Sequence, residues 1–130
     1  MSTDFAALGR EKYVSLTTFK RNGDGVAAPV WLVSDGDRLV VWTPADSWKV
    51  KRLRRDARVT LVPCGRRGKV SAGAVAVEGT ARVDAGPSEV KRIEAALKRK
   101  YGFEYRLVTL IERIAARGSK PRAVITIAPA

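Results

Sequence analysis

The residues best placed for chemistry lie in one short run, Thr43-Pro44-Ala45-Asp46-Ser47-Trp48-Lys49. It spans the junction where a strand-like pattern gives way to a helical one. The start of a helix carries backbone N–H groups without intrahelical partners and the positive end of the helix dipole. A lysine in that first turn is unfavourable by roughly a few tenths of a kcal/mol. The cost disappears if an anion sits between the Lys49 ammonium and the N–H groups, the usual arrangement for a phosphate. Arg52, one turn on, can reach the same anion. A lysine early in an exposed helix is also commonly just solvated, so the run defines a candidate and not yet a site.

Three tryptophans lie in or near the run. Trp31 and Trp42 fall on adjacent predicted strands and Trp48 opens the predicted helix. Together they offer an aromatic wall to a planar cofactor. Core packing is the plainer reading of Trp31 and Trp42, but a weaker one for Trp48, because it lies off the helix's apolar stripe. Cys64 stands near Arg66 and Arg67, whose charges would depress a thiol pKa; the plainer expectation is a small packed residue.

The chain has no histidine and a single cysteine. Ser-His-Asp and Cys-His machinery, histidine-ligated metals and intramolecular disulfides are therefore excluded. Asp35 and Asp37 belong to a turn, and no acid/base carboxylate pair stands out. Chemistry here must come from a bound cofactor, or from carboxylates, lysines and backbone dipoles.

Charge is concentrated. Of the 25 Lys plus Arg and 13 Asp plus Glu, residues 49–69 hold nine basic side chains (Lys49, Lys51, Arg52, Arg54, Arg55, Arg58, Arg66, Arg67, Lys69) and one acidic, Asp56. That stretch carries +8 of the net +12. A local excess of this kind suits an anionic partner, either nucleic acid, a membrane surface or a polyanionic small molecule, though a solvated face gives the same count.

The elements that must position these groups follow from pattern. Residues 13–20 (YVSLTTFK) read as a strand, 21–25 as a turn, and 26–34 (VAAPVWLVS) as a second strand in which Pro29 demands an edge or a bulge. A turn at 35–37 leads into a third strand at 38–43, completing a meander. Residues 45–55 are helical, with Asp46 or Ser47 as N-cap and Val50, Leu53 and Ala57 as a narrow apolar stripe. Residues 58–63 return to strand, 64–69 form a basic glycine-containing loop, and 74–84 form a long strand with Gly79 a bulge or close approach. Residues 87–101 form a helix opened by Pro87 and closed by Gly102. Leu107, Leu110, Ile111 and Ile114 mark another, stopped by Gly118 and Pro121, before a last strand at 122–128. The expected fold class is α+β, an antiparallel barrel of about six strands with two or three helices.

At 130 residues and 45% apolar composition, one globular domain over 1–130 is expected. No apolar run approaches the roughly 20 residues a membrane-crossing helix needs. Charges near the N-terminus leave no place for a signal peptide's apolar stretch, so a cytoplasmic protein with no membrane partner is expected.

The stretch YVSLTTFKRNGDGVAAPVWLVSDGDRLVVWTPADSWKVKRLRRDARVTLVPC resembles the pyridoxamine 5′-phosphate oxidase-like split β-barrel superfamily. Within it, the chain looks most like the small single-domain branch assigned to the deazaflavin coenzyme F420. The likeness runs from Phe5 to Ala128. It is densest at residues 43–63, where a Thr and a short loop lead to Ser-x-Lys, a helix and Asp-x-Arg-Val-Thr, and VEGTARV at 77–83 also fits.

The resemblance implies a homodimer with the coenzyme in a groove at the subunit interface. It implies Thr43, Ser47 and Lys49 as phosphate ligands with Trp48 beside them. Ala28, Pro29, Val30 and Trp31 would run along the ring system, and Arg52 and Arg55 would meet the acidic tail. The implied reaction is hydride transfer from reduced F420 to a small organic acceptor, with the proton supplied by solvent, a tyrosine or a lysine. FMN members of the superfamily typically carry an Arg-Lys pair where this chain has Trp48-Lys49. They also tend to carry cations on the second strand, where this chain has Ala28-Pro29-Val30-Trp31-Leu32-Val33. An FMN-binding flavin reductase or oxidase, and a non-catalytic cofactor carrier, are the alternatives. A single-stranded nucleic-acid binder would want aromatics spread over an exposed sheet, and the basic stretch falls instead on a strand–helix–strand segment, so no nucleic-acid partner is expected.

Overall fold

Strand-period alternation builds seven strands in the computed structural model, which describes residues 2–116 and 121–130. They are β1 (Val14–Phe19), β2 (Gly25–Val30), β3 (Leu32–Asp35), β4 (Arg38–Pro44), β5 (Arg58–Pro63), β6 (Val77–Asp84) and β7 (Arg122–Pro129). All pair antiparallel in one sheet of order β2-β1-β5-β6-β7-β4-β3. The helices are α1 (Ser2–Ala7), continued by a 3-10 turn at Leu8–Arg10, then α2 (Trp48–Arg55), α3 (Pro87–Tyr101) and α4 (Phe103–Ala116). This is the α+β split barrel, with one strand more than the sequence suggests and with α1 in addition.

The extra strand comes from a division at Trp31. The stretch expected as one strand pairs through β2 with β1, and through β3 with β4. Those two segments are the opposite edges of the sheet, yet only Trp31 separates them. The sheet must therefore curl until its edges nearly meet. Pro29 sits where it costs least, on an edge strand opposite Ser15. Tyr101 pins the division: its hydroxyl accepts the Leu32 N–H at 3.0 Å and lies 2.8 Å from the Lys12 carbonyl and 3.1 Å from that of Leu32. Lys100 Nζ adds bonds to the carbonyls of Gly9, Glu11 and Leu32.

Alternation then separates two cores. Leu16, Leu32, Leu39, Val41, Leu61, Ile125 and Ile127 fill the inside of the curl, with Phe5 and Leu8 closing one end. Those two residues explain α1, whose six residues were too few to show a helical period in sequence. The neighbours of opposite parity, Val33, Val40 and Val124, pack outward against Ile93, Leu97 and Tyr101 of α3 and Tyr105 of α4.

Helix boundaries follow their caps. α2 starts at Trp48, directly after Ser47, which of the two expected N-caps is the one that acts, its Oγ accepting the Val50 N–H at 3.4 Å. α3 matches its expected bounds, and Gly102 at φ 54° lets α4 begin at once. The strand expected from 74 begins only at Val77, opposite Leu61, since Pro63 two residues on lacks the N–H to extend the ladder. Gly79 is a close approach and not a bulge: a Cβ there would lie 2.7 Å from Ile127 Cγ2 and 3.0 Å from the Ala128 carbonyl oxygen. The expected stop at Gly118 lies outside the described residues.

Candidate functional site

The division at Trp31 opens a cleft of about 240 Å³. It is lined by the end of β2 (Pro29, Val30), by Trp31, by the end of β4 (Trp42, Thr43, Pro44) and by Lys49 from the first turn of α2. Tyr13, Arg66, Val108 and Arg122 complete it from four separate parts of the chain. The register explains the convergence. Pro44 faces Arg122 across β4 and β7, and the Ala45 N–H bonds the Pro121 carbonyl at 3.0 Å, which fixes the approach to α2. Trp31 belongs to neither ladder, so its backbone is not committed to strand pairing.

One wall is aromatic. Trp31 stacks on Tyr101 with centroids 4.4 Å apart and planes 14° from parallel, and Trp42 leans on Tyr105 at 5.7 Å. The tryptophans thus serve as outer core and as cleft lining together. The Arg122 guanidinium lies 4.1 Å over the Trp42 ring, a cation–π contact, and burial holds its pKa below the usual arginine value. The Trp42 indole N–H is buried without a hydrogen-bond partner among the described residues.

Lys49 is the cation at the helix start. Burial lowers its pKa, and the nearby Arg52 charge lowers it further. A desolvated ammonium beside a like charge is a group that gains from an anion. Thr43 is buried at the same strand end. The opposite situation holds at Tyr13, whose hydroxyl donates to Glu104 Oε2 at 3.2 Å, while Glu104 also pairs with Lys12.

A second hollow, of about 360 Å³, is lined by Lys20, Arg21, Trp48, Arg52 and Arg55. Trp48 is 67% exposed, with Lys51 Nζ 4.4 Å from its ring. Arg52 is steadied by Thr18 Oγ1 at 3.3 Å and Arg55 by the Phe19 carbonyl at 2.7 Å. Among the described residues no carboxylate lines this hollow.

The residues singled out in sequence thus divide. Pro29, Val30, Trp31, Thr43 and Lys49 share the cleft, whereas Trp48, Arg52 and Arg55 share the second hollow. Ser47 is occupied as the N-cap, and Ala28 lies on β2 opposite Leu16, outside the cleft lining. Tyr13, Arg66 and Arg122 join the lining through long-range pairing, which nothing local in Tyr13 or Arg122 marks. Arg66 alone had a signal, its place in the basic loop. Cys64 is half-buried, and burial pushes its thiol pKa up, against the activated alternative. Among the described residues no group of His, Cys, Asp and Glu is arranged to hold a metal, and no helix is long and apolar enough to cross a membrane.

The sequence pattern of the pyridoxamine 5′-phosphate oxidase family matches residues 4–130. The chain belongs to that family. Solved structures share the split-barrel fold at low identity. An F420 reductase is similar at 16% identity and TM-score 0.62, with 96% of this chain and 91% of that one covered. A conserved hypothetical protein of Mycobacterium tuberculosis is similar at 20% identity and TM-score 0.69, covering 97% and 76%. The heme storage protein HutZ of Vibrio cholerae is similar at 11% identity and TM-score 0.68, covering 98% and 87%. No curated protein matches.

Proposed function

We propose that this member of the pyridoxamine 5′-phosphate oxidase family is an F420-dependent oxidoreductase that reduces a small organic acceptor. The observation that carries the reading is the pairing of a desolvated cation, Lys49, with an aromatic wall in one cleft. A phosphorylated planar cofactor needs both. Thr43 and Lys49 would hold the phosphate, with Ser47 ordering the helix start through its bond to Val50. The uncommitted backbone at Trp31, with Pro29 and Val30, would face the ring.

F420 is favoured over FMN by what surrounds the cleft. β2 brings no cation to it, and the second hollow next to α2 offers Lys20, Arg21, Arg52 and Arg55 to a tail of several carboxylates. Reduced F420 held there would supply hydride-transfer chemistry toward an electron-poor double bond, with the balancing proton from solvent, a tyrosine or a lysine; the protein's part would be to bind, orient and exclude water. Pairing of two copies belongs to the same proposal, supported by the exposed apolar side chains Phe103, Leu107, Leu110 and Ile111 on α4. So does a cytoplasmic location.

Turnover tests the reading directly. Reduced F420 is mixed with the protein and a panel of electron-poor enones, quinones and nitroarenes, and its reoxidation is followed by absorbance. Protein-dependent reoxidation with at least one acceptor is expected. Tight F420 binding with no turnover of any acceptor would make the protein a carrier instead.

A further inference from the structure

We infer that the Tyr13–Arg66 end of the cleft is a substrate-recognition site that selects molecules carrying an N–H or O–H beside a carbonyl or anionic oxygen. The inference rests on the proposed reaction only for what becomes of the bound molecule. Of the three tyrosines, Tyr13 is the one that lines the cleft; the Tyr101 hydroxyl is taken up by the backbone of Leu32 and Lys12. Tyr13 donates its proton to Glu104, and the Lys12 ammonium on the same carboxylate holds Glu104 below the usual carboxyl range. Glu104 is therefore ionised and can only accept.

A phenol has one proton and two lone pairs. With the proton directed at Glu104, Tyr13 presents the cleft with an acceptor oxygen, and donation to a carboxylate makes that oxygen a stronger acceptor. Arg66, on the same cleft, has donors only. The Cys64 N–H bonds the Tyr13 carbonyl at 3.2 Å, which brings the loop carrying Arg66 alongside Tyr13, whereas Lys49 stands in the first turn of α2 after β4. Arg66 and Lys49 therefore serve different ends of the cleft. One end suits a phosphate, and the other an acceptor beside a donor, with Trp31 and Val108 supplying apolar wall. A secondary amide or lactam conjugated to a double bond has that pattern. Glu104 is a positioning residue, acting through Tyr13.

Ligand-observed NMR titration tests this with two probes, the unsaturated lactam 5,6-dihydropyridin-2-one and its N-methyl derivative, using the whole protein alone and saturated with oxidised F420. The N–H lactam should bind about fivefold to tenfold more tightly, the size of one hydrogen bond. Tyr13→Phe and Glu104→Ala should bring the two probes to parity. Glu104→Gln, which keeps an acceptor for the Tyr13 proton, should retain the preference. The exposed Arg66→Ala should weaken both probes alike. Equal affinity, no binding of either probe, or a preference that survives Tyr13→Phe would overturn the inference. Failure of F420 itself to bind, with the lactam preference intact in the protein alone, would speak against the proposed cofactor and leave this site standing.

Discussion

Tyr101→Phe isolates the bond that holds the split strand. The phenylalanine keeps the ring on which Trp31 stacks at 4.4 Å and removes only the hydroxyl. Three backbone groups meet that hydroxyl, and they do not lose equally. The Leu32 carbonyl keeps Lys100 Nζ at 2.7 Å, and the Lys12 carbonyl lies in a partly buried setting that water reaches. The Leu32 N–H is buried and has no substitute. Leaving one buried amide unsatisfied costs about 1–3 kcal/mol. For a domain of this size that lowers Tm by roughly 4–12 °C. Thermal unfolding followed by circular dichroism measures the shift, and a urea titration should give an unchanged m-value with a lower midpoint. A Tm change below about 2 °C would refute the claim that this hydroxyl fixes the division at Trp31.

Burial pushes the Tyr101 phenol up to about 12 from its ordinary value near 10. A raised folded-state pKa gives stability that is complete below pH 10 and lost as pH rises towards 12, so unfolding free energy should fall across that window in the wild type and less in Tyr101→Phe. Lys49→Met should raise the Tm of the unliganded protein by about 1–3 °C, by removing a desolvated charge facing Arg52, while weakening binding of a phosphorylated cofactor; a fall in Tm would mean Lys49 is structural. Gly79→Ala should destabilise by roughly 2–3 kcal/mol, since the Ala128 carbonyl at 3.0 Å is backbone and cannot give way. Denaturant unfolding of that variant within about 0.5 kcal/mol of wild type would contradict the close approach.

Local signals made much of the fold legible. Pro87 and Gly102 bound α3 to the residue, and Ser47 with the helical stripe of Val50 and Leu53 located α2. The division at Trp31 was not legible, because it depends on which strand each half of residues 26–34 pairs with, and β1 and β4 lie on opposite sides of it in the chain. Pro29 signalled an edge without saying that two edges would meet. The cleft was legible where it is local, from Thr43 to Lys49. Tyr13, Arg66 and Arg122 reach it only through the β4–β7 register, the barrel closure and the loop after β5. Trp48 looked like part of the same site because it adjoins Lys49 in sequence, yet successive helical residues diverge by about 100°, and its side chain lines the second hollow.

Parallel titrations of the protein with oxidised F420 and FMN, followed by tryptophan quenching, test the proposed F420 site most directly. F420 should bind at least about tenfold more tightly than FMN, and Lys49→Met should weaken F420 by a similar factor. Tighter binding of FMN, or affinity for F420 that is indifferent to Lys49, would contradict it.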